Sequence, residues 1–366
     1  MLTKKKILYS ATQRDTIENM ALEIMRNIPK ENNILKIVFF VGATNSENYI
    51  YNKETLQSCV NKEFSTNTPL VSYVAQETAT GLLTAEVIIL EQENVEIERH
   101  SNYILLTSND TRELMTGGII PDNLHDTIFA QARNIFDKIK EILNRNRFAA
   151  SDIYRQWNYI EGITIESDGS QNYQEFNDAR SIFYSDTDWS NGYPAATGIG
   201  ACAGGVMVDF YAAQSNSATN KPIDNPLQIA AHNYSQQVLA QNKQAELAEK
   251  TTPKFERARL TQNTIHISGT AAIRGEKSSD SNNIIAQTQA TMQIMDHLIS
   301  VNNTPTECTA TEYDFLRIYV KQRSDIPQVQ KYMQQHYPTP LKHYLVSDIC
   351  RPELLIEIEG TAHIIK

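Results

Sequence analysis

The feature that most limits what this chain can fold into is an order of elements that occurs twice in its 366 residues. "IFAQARNIFDKIKEIL" (128–143) and "IIAQTQATMQIMDHLI" (284–299) each place apolar residues at helical spacing after a shared Ala-Gln pair, Ala130-Gln131 and Ala286-Gln287. Each predicted helix is followed by a strand-like run, "WNYIEGITI" or "FLRIYV", and then by a second helical segment, "YQEFNDARSIFY" or "IPQVQKYMQQHY". A Pro-containing loop then leads to two predicted paired strands, "GYPAATGIGA" with "GGVMVDFYAA" and "LKHYLVSDIC" with "ELLIEIEGTA". Strands also precede the first helix of each half: "AEVIILEQ", "VEIERH" and "YILLTS", then "FERARL" and "TIHISGTAAI". This order predicts two α+β units, each a mixed sheet backed by two helices, over residues 60–213 and 226–366. Residues 1–59, with "ILKIVFFV", read as an N-terminal extension packed on the first unit, and "AAQSNSATNKPIDNP" as the linker.

Composition narrows the function classes. A hydrophobic content of 41% supports a sizeable core, while the longest apolar runs are strand-sized and shorter than the roughly 20 residues a membrane span needs. The start "MLTKKKILYS" is basic, but its apolar stretch is too short for a signal peptide, which predicts a cytoplasmic protein. Four scattered cysteines form no CxxC pair, and the eight histidines form no pair at metal-ligand spacing, so free thiols and no metal are expected. A formal charge of -10 argues against nucleic-acid binding, which needs a basic face.

"ELLIEIEGTA" (353–362) poses the sharpest chemical question. In a strand, Leu354, Ile356 and Ile358 share one face, and Leu355, Glu357 and Glu359 share the other. A half-buried strand with a wet, charged face accounts for this pattern, and so do two carboxylates in a site; the strand alone leaves both open.

Four motifs in sequence order, "FNDAR", "YPAATGIG", "ISGTA" and "DICRPELLIEIEG", resemble the YjgF/RidA superfamily and more closely its chorismatase branch. The resemblance covers roughly residues 150 to 366 and implies tandem YjgF/RidA-like units of chorismate-mutase-like plan. It also implies cofactor-independent cleavage of chorismate, a small dicarboxylate, to pyruvate and either a hydroxybenzoate, with 3-hydroxybenzoate favoured, or a dihydroxycyclohexadiene carboxylate. Releasing pyruvate this way needs a proton delivered to the enol-ether methylene carbon, a task for a carboxylic acid kept protonated by burial. The resemblance gives that acid/base role to Glu357 and leaves Glu359 structural. Two substrate carboxylates call for two cationic anchors, and arginine can grip each through paired hydrogen bonds. Similarity points to Arg180 and Arg257, the latter favoured over Arg259, accompanied by Tyr173 and Tyr234.

The resemblance further implies that Gly269 and Thr270, after Ser268, line the site, and that Cys350 occupies the place of an active-site cysteine that helps select the product. Tyr193 and Thr197 either wall the pocket or close a loop, and Gln287 reads as a capping or packing residue. The chain departs from the family pattern at 235–256, longer and helical in character, and at 274–283, where "SGTA" is not followed by a His and a Gly-Asp pair. Two other classes stay in view. An imine deaminase of the RidA kind would want an arginine in "LKHYLVSD", which has none; a noncatalytic small-acid binder would have lost its chemistry through the altered segments. Two units able to satisfy each other's lateral sheet contacts predict a monomer.

Overall fold

The computed structural model describes residues 2–30, 33–64, 67–167, 169–215, 220–239, 250–278 and 281–366. Among them three mixed sheets, of four, six and seven strands, organise the chain. Six helices back the sheets in pairs: α1 (Ile17–Asn27) and α2 (Ser46–Glu63), α3 (Ile128–Arg145) and α4 (Asn172–Tyr184), α5 (Ile284–Leu298) and α6 (Ile326–His336). Polar N-caps start several of them: Thr16, Asn45, Thr127 and Asn283 each accept the backbone N–H three residues on.

One connectivity recurs in all three sheets. A strand leads to a helix, a second strand and a second helix. A third strand follows, parallel to the second, and a last strand inserts antiparallel between the first and the second. In the first sheet these strands are Lys4–Ser10, Ile34–Phe40, Leu70–Val74 and Thr84–Leu90. In the second they are Thr111–Thr116, Ile153–Glu161, Ala195–Ala201 and Val206–Ser215. In the third they are Thr264–Ala271, Ala310–Val320, Leu341–Val346 and Ile356–Ile365. Short strands extend the sheets; one of them, Glu77–Thr78, crosses from the first to pair with Leu341–Val346 of the third.

This corrects the predicted division at residue 60. Residues 4–90 build a sheet of their own with α1 and α2, so the predicted extension and the run "AEVIIL" belong together. The physical reason is burial. Ile34–Phe40 and Thr84–Leu90 are buried at every position, because one face meets the helices and the other meets the neighbouring sheets. Continuous apolar runs of that kind carry no alternation from which to read a partner. The predicted strand pairs are corrected too: Ala195–Ala201 and Val206–Ser215 flank Ile153–Glu161 rather than each other, and Leu341–Val346 and Ile356–Ile365 flank Ala310–Val320.

The repeated Ala-Gln pair has a shared task. Gln131 Oε1 accepts the Val206 N–H at 3.0 Å, and Gln287 Oε1 accepts the Leu355 N–H at 2.9 Å. In each case a first-helix glutamine clasps the entry to the strand that inserts last. Gln287 is thus a packing residue, as expected.

Candidate active site

The second and third sheets meet along Ala195–Ala201 and Thr264–Ala271. Ser268 Oγ accepts the Ala196 N–H at 2.9 Å, and Thr197 Oγ1 accepts the Gly269 N–H at 3.1 Å. Side chains alternate along strands, and the positions turned to one side of this seam are Ala196, Gly198, Gly269 and Ala271. Four small residues leave a hollow, a cavity with about 830 Å³ of empty space, part of it open to solvent. The glycines are needed: a Cβ on Gly269 would overlap Glu357 Oε1, and one on Gly198 would stand 2.8 Å from the Tyr173 ring.

Helix α4 presents Tyr173, Asn177 and Arg180 to the cavity, spaced four and three residues apart and therefore on one face. Opposite stand Glu357, Cys350 and Arg351, with Gln228 and Tyr234 from the loop that precedes residue 240 and Phe255 and Arg257 from the segment that follows residue 249. Arg180 is 2% exposed and Arg257 4%. Neither has a carboxylate partner among the described residues. Arg180 Nη2 donates to Asn177 Oδ1 at 2.5 Å; Arg257 Nη2 donates to Ile229 O at 2.5 Å and to Tyr234 Oη at 2.8 Å; both Nε atoms lack partners. Buried cations without counterions are costly, and a bound anion relieves that cost.

The two carboxylates of "EIE" lie on one strand face, as the alternation predicts, but that face is dry. Glu357 is 4% exposed and Glu359 2%, which overturns the wet-face reading. Their environments then separate them. Glu359 accepts from Arg155, Thr197, Arg317 (2.5 Å), Trp157 (3.0 Å) and Tyr319 (3.1 Å). Burial pushes its pKa up, but Arg317 and Arg155 outweigh this and hold it below the ordinary range. Glu357 has no hydrogen-bond partner among the described residues, and burial, reinforced by the Glu359 charge and only partly offset by Arg155, pushes it up to about 8. Such a pair offers one carboxyl that keeps its proton near neutral pH and one that does not. Burial likewise raises the Cys350 thiol to about 12 and the Tyr173 phenol above its usual value, so both stay neutral.

A family model described as "Chorismatase FkbO/Hyg5-like, N-terminal" matches residues 89–212. A 3-hydroxybenzoate synthase of Streptomyces hygroscopicus is 25% identical over 75% of this chain and 80% of its own length. A chorismatase of Streptomyces rapamycinicus is 30% identical over 56% of this chain and 62% of its own length. A solved chorismatase structure superimposes with a TM-score of 0.72 at 20% identity, covering 98% of both chains. The chain is thus similar to chorismatases in sequence over most of its length and in overall fold. Its α+β units follow one another in tandem within that fold, as the repeated order of elements implied.

Of the residues that sequence reasoning singled out, this cavity brings together Tyr173, Arg180, Tyr234, Arg257, Gly269, Cys350 and Glu357. Thr270 is not among them. It sits between the cavity-facing Gly269 and Ala271, on the opposite strand face, and its hydroxyl donates to Ser268 O at 2.9 Å. Arg259 is spent on Asn220 and on the carbonyls of Gly192 and Tyr193, and Thr197 on Glu359 and Arg155. Arg180 pairs with neither Asp178 nor Asp186: Asp178 accepts from Gln174 and Thr251. Asn177, Gln228, Phe255 and Arg351 were missed. Asn177 was within reach, since it shares the helix face of Tyr173 and Arg180; the other three lie in irregular segments with no period to betray them. Residues 240–249 and 279–280 of the two divergent segments lie outside the described residues. No group of three or more potential metal ligands occurs among the described residues, and no helix there is long and apolar enough to cross a membrane.

Proposed function

We propose that this protein cleaves the enolpyruvyl ether of chorismate, releasing pyruvate and a hydroxybenzoate, with 3-hydroxybenzoate as the favoured product. The observation that carries the reading is a carboxyl held protonated near neutral pH in a cavity that also contains two buried arginines without counterions. The relative named 3-hydroxybenzoate synthase supports the choice of product.

Arg180 and Arg257 take the two substrate carboxylates, with Tyr173 and Tyr234 beside them. Glu357 gives its proton to the methylene carbon of the enol ether, and positive charge develops on the ether carbon as an oxocarbenium-like centre. The carboxylate left on Glu357 faces that charge in a poorly solvated space, where the attraction is strong. The C4 hydroxyl oxygen then attacks C3 as the C3–O bond to pyruvate breaks, so that it bridges C3 and C4. The bridge opens at its C4–O bond, leaving the hydroxyl on C3, and the C3 proton passes to the same carboxylate as the ring aromatises to 3-hydroxybenzoate. Chorismate divides into pyruvate and hydroxybenzoate with no atom left over, whereas the dihydroxycyclohexadiene acid takes up one water. The neutral Cys350 thiol contacts the ring side and disfavours that water. The same reading takes the protein as a monomer of the cytoplasm, because its sheets close on one another within one chain.

The test is to incubate the purified protein with chorismate, follow pyruvate through lactate dehydrogenase, and separate the second product by chromatography. Pyruvate release that falls by at least roughly a thousandfold in Glu357→Gln supports the reading. A folded wild-type protein that releases none sinks it.

A further inference from the structure

The loop "IRGEKS", where the chain departs from the chorismatase pattern, forms a small hairpin of Ile273–Arg274 with Lys277–Ser278. Its turn holds Gly275 at φ 60°, a conformation glycine adopts without strain. The segment 227–235 is laced onto this hairpin. The Gly275 N–H donates to Leu227 O at 2.8 Å, the Ile229 N–H donates to Gly275 O at 3.0 Å, and Gln228 Nε2 donates to Ile273 O at 3.0 Å. The Glu276 carboxylate accepts the Ser235 N–H at 2.8 Å and the Ser235 hydroxyl at 2.7 Å. Arg351 closes the lace: its Nη1 donates to Glu276 O and to Ser278 Oγ, both at 3.0 Å, and its guanidinium lies 5.6 Å from the Tyr234 ring centre.

The laced segment carries both groups that orient Arg257, the Ile229 carbonyl and the Tyr234 hydroxyl. The Tyr234 ring also lies within 5.5 Å of the Arg257 guanidinium. What fixes Arg257 is therefore itself fixed by the hairpin. We propose that the hairpin Ile273–Ser278, through Glu276 and Arg351, is a positioning device that holds the Arg257 guanidinium at the angle from which it grips a substrate carboxylate. This rests on the reading of Arg257 as a carboxylate anchor. Glu276 is not a cavity-lining residue and touches no reacting atom, so it acts only through the segment it binds.

The full-length Glu276→Ala variant tests this by two readouts: amide hydrogen exchange at Ile229 and Ser235, and steady-state kinetics with chorismate. Faster exchange at both amides is expected, together with a KM raised roughly tenfold and a kcat within about twofold of wild type. Glu276→Gln restores both, because its amide can still accept the Ser235 N–H and donate to the Ser235 hydroxyl. In an Arg257→Ala background, Glu276→Ala adds nothing to KM. Unchanged exchange overturns the proposal, since the lace then does not depend on Glu276. Faster exchange with an unchanged KM, or with a loss confined to kcat, overturns it as well. A wild-type protein that releases no pyruvate brings down the functional reading instead, and the exchange result alone then decides whether the hairpin holds the segment.

Discussion

At the scale of single residues, Glu357 and Glu359 show how two identical side chains on one strand face come to hold different charges. Glu357 has an ordinary value of 4.5 and a folded value of about 8. Between those values the folded protein keeps a proton that the unfolded chain gives up, so stability falls as pH rises through that window. A glutamine in its place could not ionise. Glu357→Gln should therefore melt close to wild type at pH 5 and above it at pH 8, by an amount of the order of a few kcal/mol. The same titration removes the proton the reaction needs, so wild-type kcat/KM should fall above about pH 8. Thermal melts of both proteins at the two pH values check the first statement, and a pH–rate profile the second; an equal melting difference at both pH values would refute the assignment. Much of this was legible in sequence, since alternation put both glutamates on one face and the family motif chose between them. What was not legible is that the face is dry, because the sheets that cover it come from residues far away along the chain.

At the scale of elements, the site exists because two strands from different sheets meet at their small residues. Gly269 allows the closest approach, and its place is taken by Glu357 Oε1 in the sense that any Cβ there would overlap it. Gly269→Ala should displace the carboxyl and lower kcat by about a hundredfold, since a shift of about 1 Å at a reacting group costs that much. The backbone at Gly269 has no positive φ, so the methyl adds no backbone strain, and circular dichroism should show the fold retained. Activity within a few-fold of wild type would mean that the carboxyl has another productive position. The helices around the site were legible from periodicity: α3 buries Ile128, Ala132, Ile135, Phe136, Ile139 and Ile142 along one stripe. Strand pairing was not, because the last strand of each sheet inserts between earlier ones, and nothing local in "GGVMVDFYAA" says that its partners are Ile153–Glu161 and Thr111–Thr116. The earliest sheet was missed for a related reason. Its residues carry the same order of strand, helix, strand, helix, strand and strand, but none of the motifs that marked the other two.

At the scale of the molecule, three acids on the last-inserted strands each reach a cation on the second strand of another sheet. Glu86 of the first pairs with Arg317 of the third (2.6 Å), Glu359 of the third with Arg155 of the second, and Asp209 of the second with Lys36 of the first (2.8 Å). First to third, third to second, second to first: the pairs close a ring, as head-to-tail contacts do when the rotation closes. In that ring the counterpart of Asp209 is Glu359, which leaves Glu357 outside it and free to face the cavity. Lys36 and Asp209 are almost fully buried and stand at the contact of the first two sheets, whereas the cavity lies between the second and third. Truncating one partner leaves a buried charge alone, so Lys36→Met should destabilise by about 3–5 kcal/mol. Adding Asp209→Leu removes the orphan charge and should recover most of that loss. Urea unfolding followed by tryptophan fluorescence gives the order wild type, double variant, Lys36→Met in falling midpoint, while the folded fraction of each should release pyruvate at the wild-type rate. A double variant less stable than Lys36→Met would show that the ring is held by the shape of its members. A rate loss in the folded double variant would show that the contact of the first two sheets reaches the site between the other two.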